Sequence, residues 1–301
     1  MMNQTALVLG GTQFFGKRLV QHLLDAGIRV TIGTRGRTPD PFGTQIERLI
    51  LDREDAESME RALDGRSWDL VYDQTCYSPQ EALDACSLFS GSVKRYIFTS
   101  TMAVYDGGEA KREDDFDPYS YTYSVGPRSQ YTGIKGYQDA KRSAEAILFQ
   151  KASFPVVAVR FPLVIGPDDY TNRLRFHVEH VVRQLPVGVP NPEAKVAFNS
   201  SEDAGRFLFW LGDQKWVGPI NAGYGVDLSH RELFGRIEQT VGKPAILAEK
   251  TEPEHQSPYA FPWSWSVDTS KARQAGFTFG SMDVMLGKLI EQYAFEAAKQ
   301  A

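Results

Sequence analysis

Apolar residues in the first half of the chain fall into short blocks separated by stretches with helical spacing. Ala6–Leu9 is the first block, and after it Leu19, Leu23 and Leu24 follow a helical period until Gly27 ends it. Further blocks of strand character lie at Ile28–Ile32, Ile46–Leu51, Trp68–Tyr72, Arg95–Phe98 and Pro155–Phe161. Helical patterns sit between them at Gln80–Phe89 and Tyr137–Gln150, the second with Ala140, Ala144, Ile147 and Leu148 on one face. Apolar strands alternating with helices predict a mainly parallel sheet covered on both faces. Ligands of such sheets sit at the carboxyl ends of the strands, so the residues ending each block are the ones to inspect.

Beyond Pro167 the alternation stops. Asp168–Gln184 is polar and then helical, Leu185–Asn191 is proline-rich, and Asn199–Asp203 starts a helix leading into Phe207–Leu211. Trp216–Asn221 is a candidate strand returning to the sheet, and helices are expected over Arg231–Val241 and Met282–Ala298. The predicted fold is α/β, a Rossmann-type doubly wound parallel sheet with a smaller C-terminal α/β lobe. Residues 1–167, with a return contribution from about 196–222, form the nucleotide-binding part, and 168–301 form mainly the substrate lobe. The stretch 106–130 is longer than ordinary connections, which leaves a flap, a disordered insert or an interface open.

The first strand runs into Gly10-Gly11-Thr12-Gln13-Phe14-Phe15-Gly16. Glycines between a strand and a helix bring the helix N-terminus, with its unpaired amides and positive dipole end, onto a pyrophosphate. Gly10 allows the sharp turn and Gly16 a close approach of helix to sheet. Gln13 stands where dinucleotide fingerprints usually have glycine. The second strand ends at Thr34, followed by Arg35 and Arg37, where an NAD-preferring site carries an acid for the ribose hydroxyls. Without that acid, guanidinium groups can pair with a 2′-phosphate. The expected cofactor is therefore NADP, with NAD as the second choice. Asp52 ends the third strand, either to receive the adenine amino group or to cap the helix after Arg53. Thr75 follows the fourth. The dinucleotide candidates in these loops are Gly10, Thr12, Gln13, Phe14, Phe15, Gly16, Thr34, Arg35, Arg37, Asp52, Arg53 and Thr75.

Tyr137 and Lys141 lie one helical turn apart, and Thr101 lies at the end of the fifth strand. An ammonium near a phenol lowers its pKa, which suits a tyrosine for proton transfer beside a moving hydride. Tyr131 and Lys135 have the same spacing. Gly133 and Gly136 weaken that segment as a helix interior, by roughly 1 kcal/mol each relative to alanine, so Tyr137 and Lys141 are preferred. Asn172, Arg173 and Arg175 fit either a substrate diphosphate or a solvated helix start. His177 and His180 have no third partner in the sequence, and no metal is expected.

Composition narrows the class. The 301 residues are 42% hydrophobic with a formal net charge of −5, which argues against nucleic acid or an anionic membrane as partner. No apolar run nears the ~18–20 residues of a membrane span. Two cysteines, Cys76 and Cys86, suggest neither a disulfide framework nor a metal site, and a cytoplasmic location is expected.

These elements recur in a set order: GGTQFFG at 10–16, Asp52, Ser100-Thr101-Met-Ala-Val-Tyr105, Tyr137-x-x-x-Lys141-x-x-x-Glu145, Arg160-Phe-Pro162 through Gly166-Pro167, and Glu202-Asp203-Ala204. In that order the chain resembles an extended or atypical short-chain dehydrogenase/reductase of the NAD-dependent epimerase/dehydratase family. The resemblance implies catalysis by Thr101 (rather than Ser100), Tyr137 and Lys141, with nicotinamide-side contacts from Pro162, Leu163 and Val164. It implies a small-molecule substrate such as a nucleotide sugar, and it allows a homodimer through the helices flanking Tyr137. Gln13 is a departure, similar to a branch that includes the chloroplast stem-loop RNA-binding proteins. RNA binding, or cofactor sensing without turnover, is the alternative reading. The acidic charge and the intact Thr101, Tyr137 and Lys141 argue against it.

Overall fold

The computed structural model describes residues 4–299. Its strands are β1 (Thr5–Leu9), β2 (Arg29–Thr34), β3 (Glu47–Ile50), β4 (Trp68–Asp73), β5 (Val93–Thr101), β6 (Gly108–Lys111), β7 (Val156–Phe161), β8 (Leu163–Ile165), β9 (Pro186–Gly188), β10 (Lys195–Ser200), β11 (Gly218–Asn221), β12 (Asp227–Ser229), β13 (Ile246–Ala248) and β14 (Trp265–Val267). Its helices are α1 (Phe14–Asp25), α2 (Ala56–Leu63), α3 (Pro79–Leu88), α4 (Gly133–Lys151), α5 (Arg173–Arg183), α6 (Ser201–Gly212), α7 (His230–Val241), α8 (Ser270–Gln274) and α9 (Met282–Ala298). The chain divides into two compact units. One holds the residues up to Tyr105, Glu113–Phe161 and Ala204–Ala222; the other holds Asp106–Arg112, Pro162–Asp203 and everything from Gly223 on.

The first unit is built on a seven-stranded sheet of order β3-β2-β1-β4-β5-β7-β11, in which every neighbouring pair is parallel. The order reverses between β1 and β4, the point where doubly wound sheets open a crevice at their carboxyl edge. Leu9 stands level with Gly33 and Asp73 there, and Asp73 with Phe98. One core layer joins Leu7, Leu9, Val71, Phe98 and Ala158 of the sheet to Met59, Ala82, Ala85, Ala144 and Ile147 of the helices, all fully buried. On another face α6 reaches α1 so closely that a Cβ on Gly205 would stand 2.7 Å from Arg18 Cβ and 3.0 Å from the Leu19 nitrogen. The expected return strand is present as β11, beside β7.

The division falls earlier than expected. Pro162, which has no N–H for a sheet ladder, follows β7 directly. β8 then pairs with β10, Val164 opposite Asn199. Residues 162–167 and 196–203 thus belong to the second unit rather than the first. That unit has a sheet of order β12-β10-β14-β6 with β8 on β10, a β9–β13 pair, and α5, α7 and α9 packed together.

Residues 106–130 are divided between the two units. β6 lies parallel to β14 in the second unit. From Glu113 on, the segment is held by the first. Arg160, with no exposed surface, donates from Nη1 to the Glu113 carbonyl (2.8 Å) and to Tyr105 Oη (2.9 Å), and from Nη2 to the Phe116 carbonyl (3.1 Å). Its charge is met by the equally buried Glu145 of α4 at 2.7 Å. Burial works against the charged guanidinium, but Glu145 outweighs it and raises the Arg160 pKa. Gln150 donates to the Pro118 and Tyr121 carbonyls, and Tyr119 packs on Phe149 with ring centroids 5.0 Å apart. No residue of α4 from Gln138 to Leu148 is exposed. Replacing Arg160 by Met strands Glu145 in the interior and is expected to cost about 3–5 kcal/mol. Urea titration measures the loss, and faster proteolysis within 113–131 is expected to accompany it.

The second unit buries two neutral histidines. His177 bonds the Arg173 carbonyl through Nδ1 (2.7 Å) and Ser257 Oγ through Nε2 (2.8 Å). His230 is fully buried with no partner for either ring nitrogen among the described residues. Burial pushes their pKa values down to about 3 and about 4. Below the ordinary value near 6.5 only the unfolded chain takes up these protons, so stability falls as pH drops from about 6.5 to 4. Each histidine contributes up to about 1.4 kcal/mol per pH unit. Denaturation midpoints at pH 7, 5.5 and 4.5 measure the slope, and His230→Phe should reduce it.

Candidate active site

In the first unit, β1 enters α1 through backbone that only glycine adopts easily, with φ of +108° at Gly10 and +88° at Gly11. A Cβ on Gly11 would lie 2.9 Å from Ile32 Cγ2 and 3.0 Å from Val8 Cγ1 and Val20 Cγ2, while one on Gly16 would strike Gln74 Oε1. Gly11 is therefore as constrained as the two glycines expected from the pattern. Phe14 opens α1 at φ +51°, uncommon for a bulky residue, and is buried. Gln13 is exposed and makes no side-chain cap bond. The first amides of the helix have no intrahelical acceptor, so the turn suits a phosphate.

At the end of β2, Thr34 Oγ1 accepts from the Gly36 N–H (3.1 Å). Arg35 and Arg37 are exposed with no ion-pair partner among the described residues. After β3, Asp52 Oδ1 accepts from the Glu54 N–H (3.1 Å), and the cap of α2 is supplied instead by Asp55. Arg53 turns inward. It is buried, and its Nη2 lies 2.6 Å from Asp73 Oδ2, which also accepts from Tyr96 Oη. Burial opposes its charge, yet the net effect of Asp73 and its neighbours is a raised pKa. Nη2 is thus held by Asp73, while Arg53 Nε and Nη1 are buried with no hydrogen-bond partner among the described residues. Asp73 Oδ1 accepts from the Thr75 N–H (3.0 Å) and shapes the loop after β4. The Cys76 thiol in that loop is pushed up to about 12 by burial and by Asp73, which favours the neutral thiol.

Lys141 is buried in α4, its Nζ donating to the Cys76 carbonyl (2.7 Å) and the Thr99 carbonyl (3.0 Å). It stands 4.7 Å from the Phe98 ring centre and 4.8 Å from that of Tyr77. Tyr137 lies one turn earlier and is half-buried. The turn carrying Thr101 is fixed to this helix by Gln138 Nε2 on the Tyr105 carbonyl (2.8 Å) and Arg142 Nε on the Val104 carbonyl (2.6 Å). Thr101 Oγ1 accepts from the Ala103 N–H (3.1 Å), so its own hydrogen is available to a ligand. Tyr131 lies outside α4, and Lys135 pairs with Asp139 on the surface, so the competing pair does not share a helix face. Neither Gln138 nor Arg142 follows from the sequence pattern. Their placement at i and i+4 on α4, beside Tyr137 and Lys141, is the only signal.

In the second unit, Leu163 and Val164 lie buried in β8 directly after Pro162. Asn172 precedes α5 in the left-handed region (φ +53°). Arg173 donates to Thr171 Oγ1 (2.9 Å) and to the Val164 carbonyl (3.4 Å), both neutral acceptors. Arg175 is paired with Glu296 (2.5 Å) and lies over Tyr293. His180 Nε2 lies 3.3 Å from His255 Nδ1. No metal-holding group of three or more His, Cys, Asp or Glu exists among the described residues. No helix is long and apolar enough to cross a membrane among them.

A sequence model of the NAD dependent epimerase/dehydratase family matches residues 6–206. The chloroplast stem-loop binding protein of 41 kDa b from Arabidopsis thaliana is 25% identical over 224 residues, 69% of this chain and 55% of that protein. The chain thus spans about half the length of this curated relative. Among solved structures, the UDP-glucose 4-epimerase of Thermus thermophilus in complex with NAD is similar at TM-score 0.74 and 18% identity, covering 96% of this chain and 99% of that one. The UDP-glucuronic acid 4-epimerase from Bacillus cereus, in complex with UDP-glucuronic acid and NAD, reaches 0.73 at 17% identity, covering 97% and 99%. At these identities the likeness is one of fold.

Substituting alanine at Gly11 adds a side chain where φ is positive and space is absent. The expected cost is about 1–2 kcal/mol for the backbone plus about 1–3 for overpacking. Gly27→Ala, also at positive φ but with nothing within 4 Å, carries only the first of these. Paired chemical denaturation of the two variants measures the difference.

Proposed function

Because the chain belongs to the NAD dependent epimerase/dehydratase family, we propose that it is an enzyme that uses a nicotinamide dinucleotide to act on a hydroxyl or carbonyl carbon of a nucleotide sugar or similar metabolite. The observation that carries the reading is the fixing of the Thr101 turn to the helix of Tyr137 and Lys141 by Gln138 and Arg142, on the unit that holds the glycine turn.

In this reading a nicotinamide dinucleotide, held at the glycine turn of Gly10, Gly11 and Gly16, would supply the hydride chemistry. Tyr137 moves the proton of the substrate oxygen. Lys141, one helical turn after Tyr137 and held by the Cys76 and Thr99 carbonyls, assists that proton transfer. Thr101 donates its free hydrogen to the same oxygen. Arg173, whose partners are neutral, is the better candidate for a substrate diphosphate; Arg175 is already neutralised by Glu296. NADP preference is supported by Thr34 in place of an acid and by the unpaired Arg35 and Arg37. The cited structures contain NAD, so NAD remains the alternative.

RNA binding is the second reading, favoured by the name of the Arabidopsis relative and opposed by the net charge of −5. Titration of nicotinamide fluorescence with NADPH and NADH, in the presence and absence of a stem-loop RNA, separates the two. Tight dinucleotide binding indifferent to RNA is expected; no dinucleotide binding together with RNA binding would sink the enzyme reading. Tyr137→Phe should abolish turnover and leave dinucleotide affinity unchanged. The double variant Arg35→Ala/Arg37→Ala should weaken NADPH by roughly tenfold or more and spare NADH. Equal loss for both cofactors would remove the 2′-phosphate role.

A further inference from the structure

Gln74 follows β4 directly, and its backbone N–H donates to the Leu9 carbonyl (3.1 Å), which fixes it beside the glycine turn. Its side chain lies along that turn. A Cβ on Gly10 would stand 3.5 Å from Gln74 Cβ and 3.6 Å from its Oε1, and one on Gly16 would collide with the same oxygen. Nε2 is shut off from solvent and has no hydrogen-bond partner. No protein hydrogen bond holds either end of this amide among the described residues. A buried N–H2 without an acceptor destabilises the protein, and an apolar side chain of similar size would fill the same space without that loss.

The last torsion of glutamine is broad and roughly two-fold, so a half-turn exchanges nitrogen and oxygen with little strain. That half-turn puts the N–H2 where Oε1 now lies, against Gly10 and Gly16. The ligand that gains from it is an anion. The N-terminus of α1 already favours negative charge there, and the amide adds a side-chain donor to the backbone ones. We propose that Gln74 is a phosphate-binding residue of the turn, donating from Nε2 to the diphosphate of the dinucleotide. The inference rests on the dinucleotide reading above. It also gives this strand-end position a chemical role that the glycine pattern alone does not contain.

The test compares wild type, Gln74→Met and Gln74→Glu by calorimetric titration with NADPH, NADH, ADP and adenosine, and by thermal unfolding without ligand. Gln74→Met keeps the volume and removes the amide. It is expected to leave the ligand-free Tm unchanged or raise it, to weaken NADPH, NADH and ADP about tenfold, and to spare adenosine. Gln74→Glu places a carboxylate against the phosphates and is expected to weaken them further. A lowered Tm in Gln74→Met would show that the amide serves the fold, and unchanged ADP affinity would show that it does not meet the phosphates; either overturns the inference alone. If wild type binds no dinucleotide, the reading it rests on falls, and the inference with it.

Discussion

A guanidinium sealed inside the protein is the constraint from which much of the first unit follows. Arg160 leaves β7 with no exposed surface, and it has enough donors to hold three separate pieces of chain at once. Glu145 fixes α4 to the sheet, Tyr105 ends the Thr101 turn, and the Glu113 and Phe116 carbonyls anchor the segment that covers α4. Ser100 also donates to Glu145, so the strand leading to Thr101 joins the same network. Ion pairs this deep rarely add much net stability over an apolar core. The Glu145 side of this pair lies on α4, the helix that also carries Tyr137 and Lys141.

The charges around the carboxyl edge fall into two groups with different work. Arg53 with Asp73, and Arg128 with Glu81, are neutralised within the protein and tie the loops after β3 and β4 to α3 and to the 113–131 segment. Tyr77 lies with Arg128 5.0 Å and Lys141 4.8 Å from its ring centre, which spreads further positive charge over an aromatic face. Arg35 and Arg37 remain as uncommitted cations beside β2. The proposed anion recognition in the first unit would thus fall to backbone amides and a few side chains. An overall negative charge is compatible with that arrangement, because only the local field has to be positive.

The strands of the large sheet were legible because a parallel strand buried on both faces leaves an unbroken apolar block, as in Val156–Phe161. The strand-end candidates could be named because ligands of such sheets sit at the carboxyl ends of the strands. Features that depend on partners far away in sequence were not. Arg53 reads as a loop cation until Asp73, twenty residues on, accepts it. Pro162 reads as the end of a block, yet the chain changes sheets there. Helix propensity also misled at one end of α4. The helix begins at Gly133 and runs through Gly136, where a Cβ would meet the Tyr131 backbone at 2.6 Å. Close approach of the preceding turn outweighs the propensity loss. The preference for Tyr137 over Tyr131 therefore rests on geometry rather than on the glycines.

The contact of α6 with α1 at Gly205 bears on how the chain is made. Helix α6 and strand β11 come from residues near 200–222, yet they complete a sheet whose first strand begins at Thr5. While the ribosome is still adding the residues between β7 and α6, β7 is a bare edge and α1 lacks the helix that lies against it. An exposed parallel edge with an apolar face is a site for wrong pairing. The first unit can close only when its late segment emerges, after much of the second unit's chain has already been synthesised. Vectorial synthesis therefore leaves α1 without its α6 neighbour until the residues near 200 have been made.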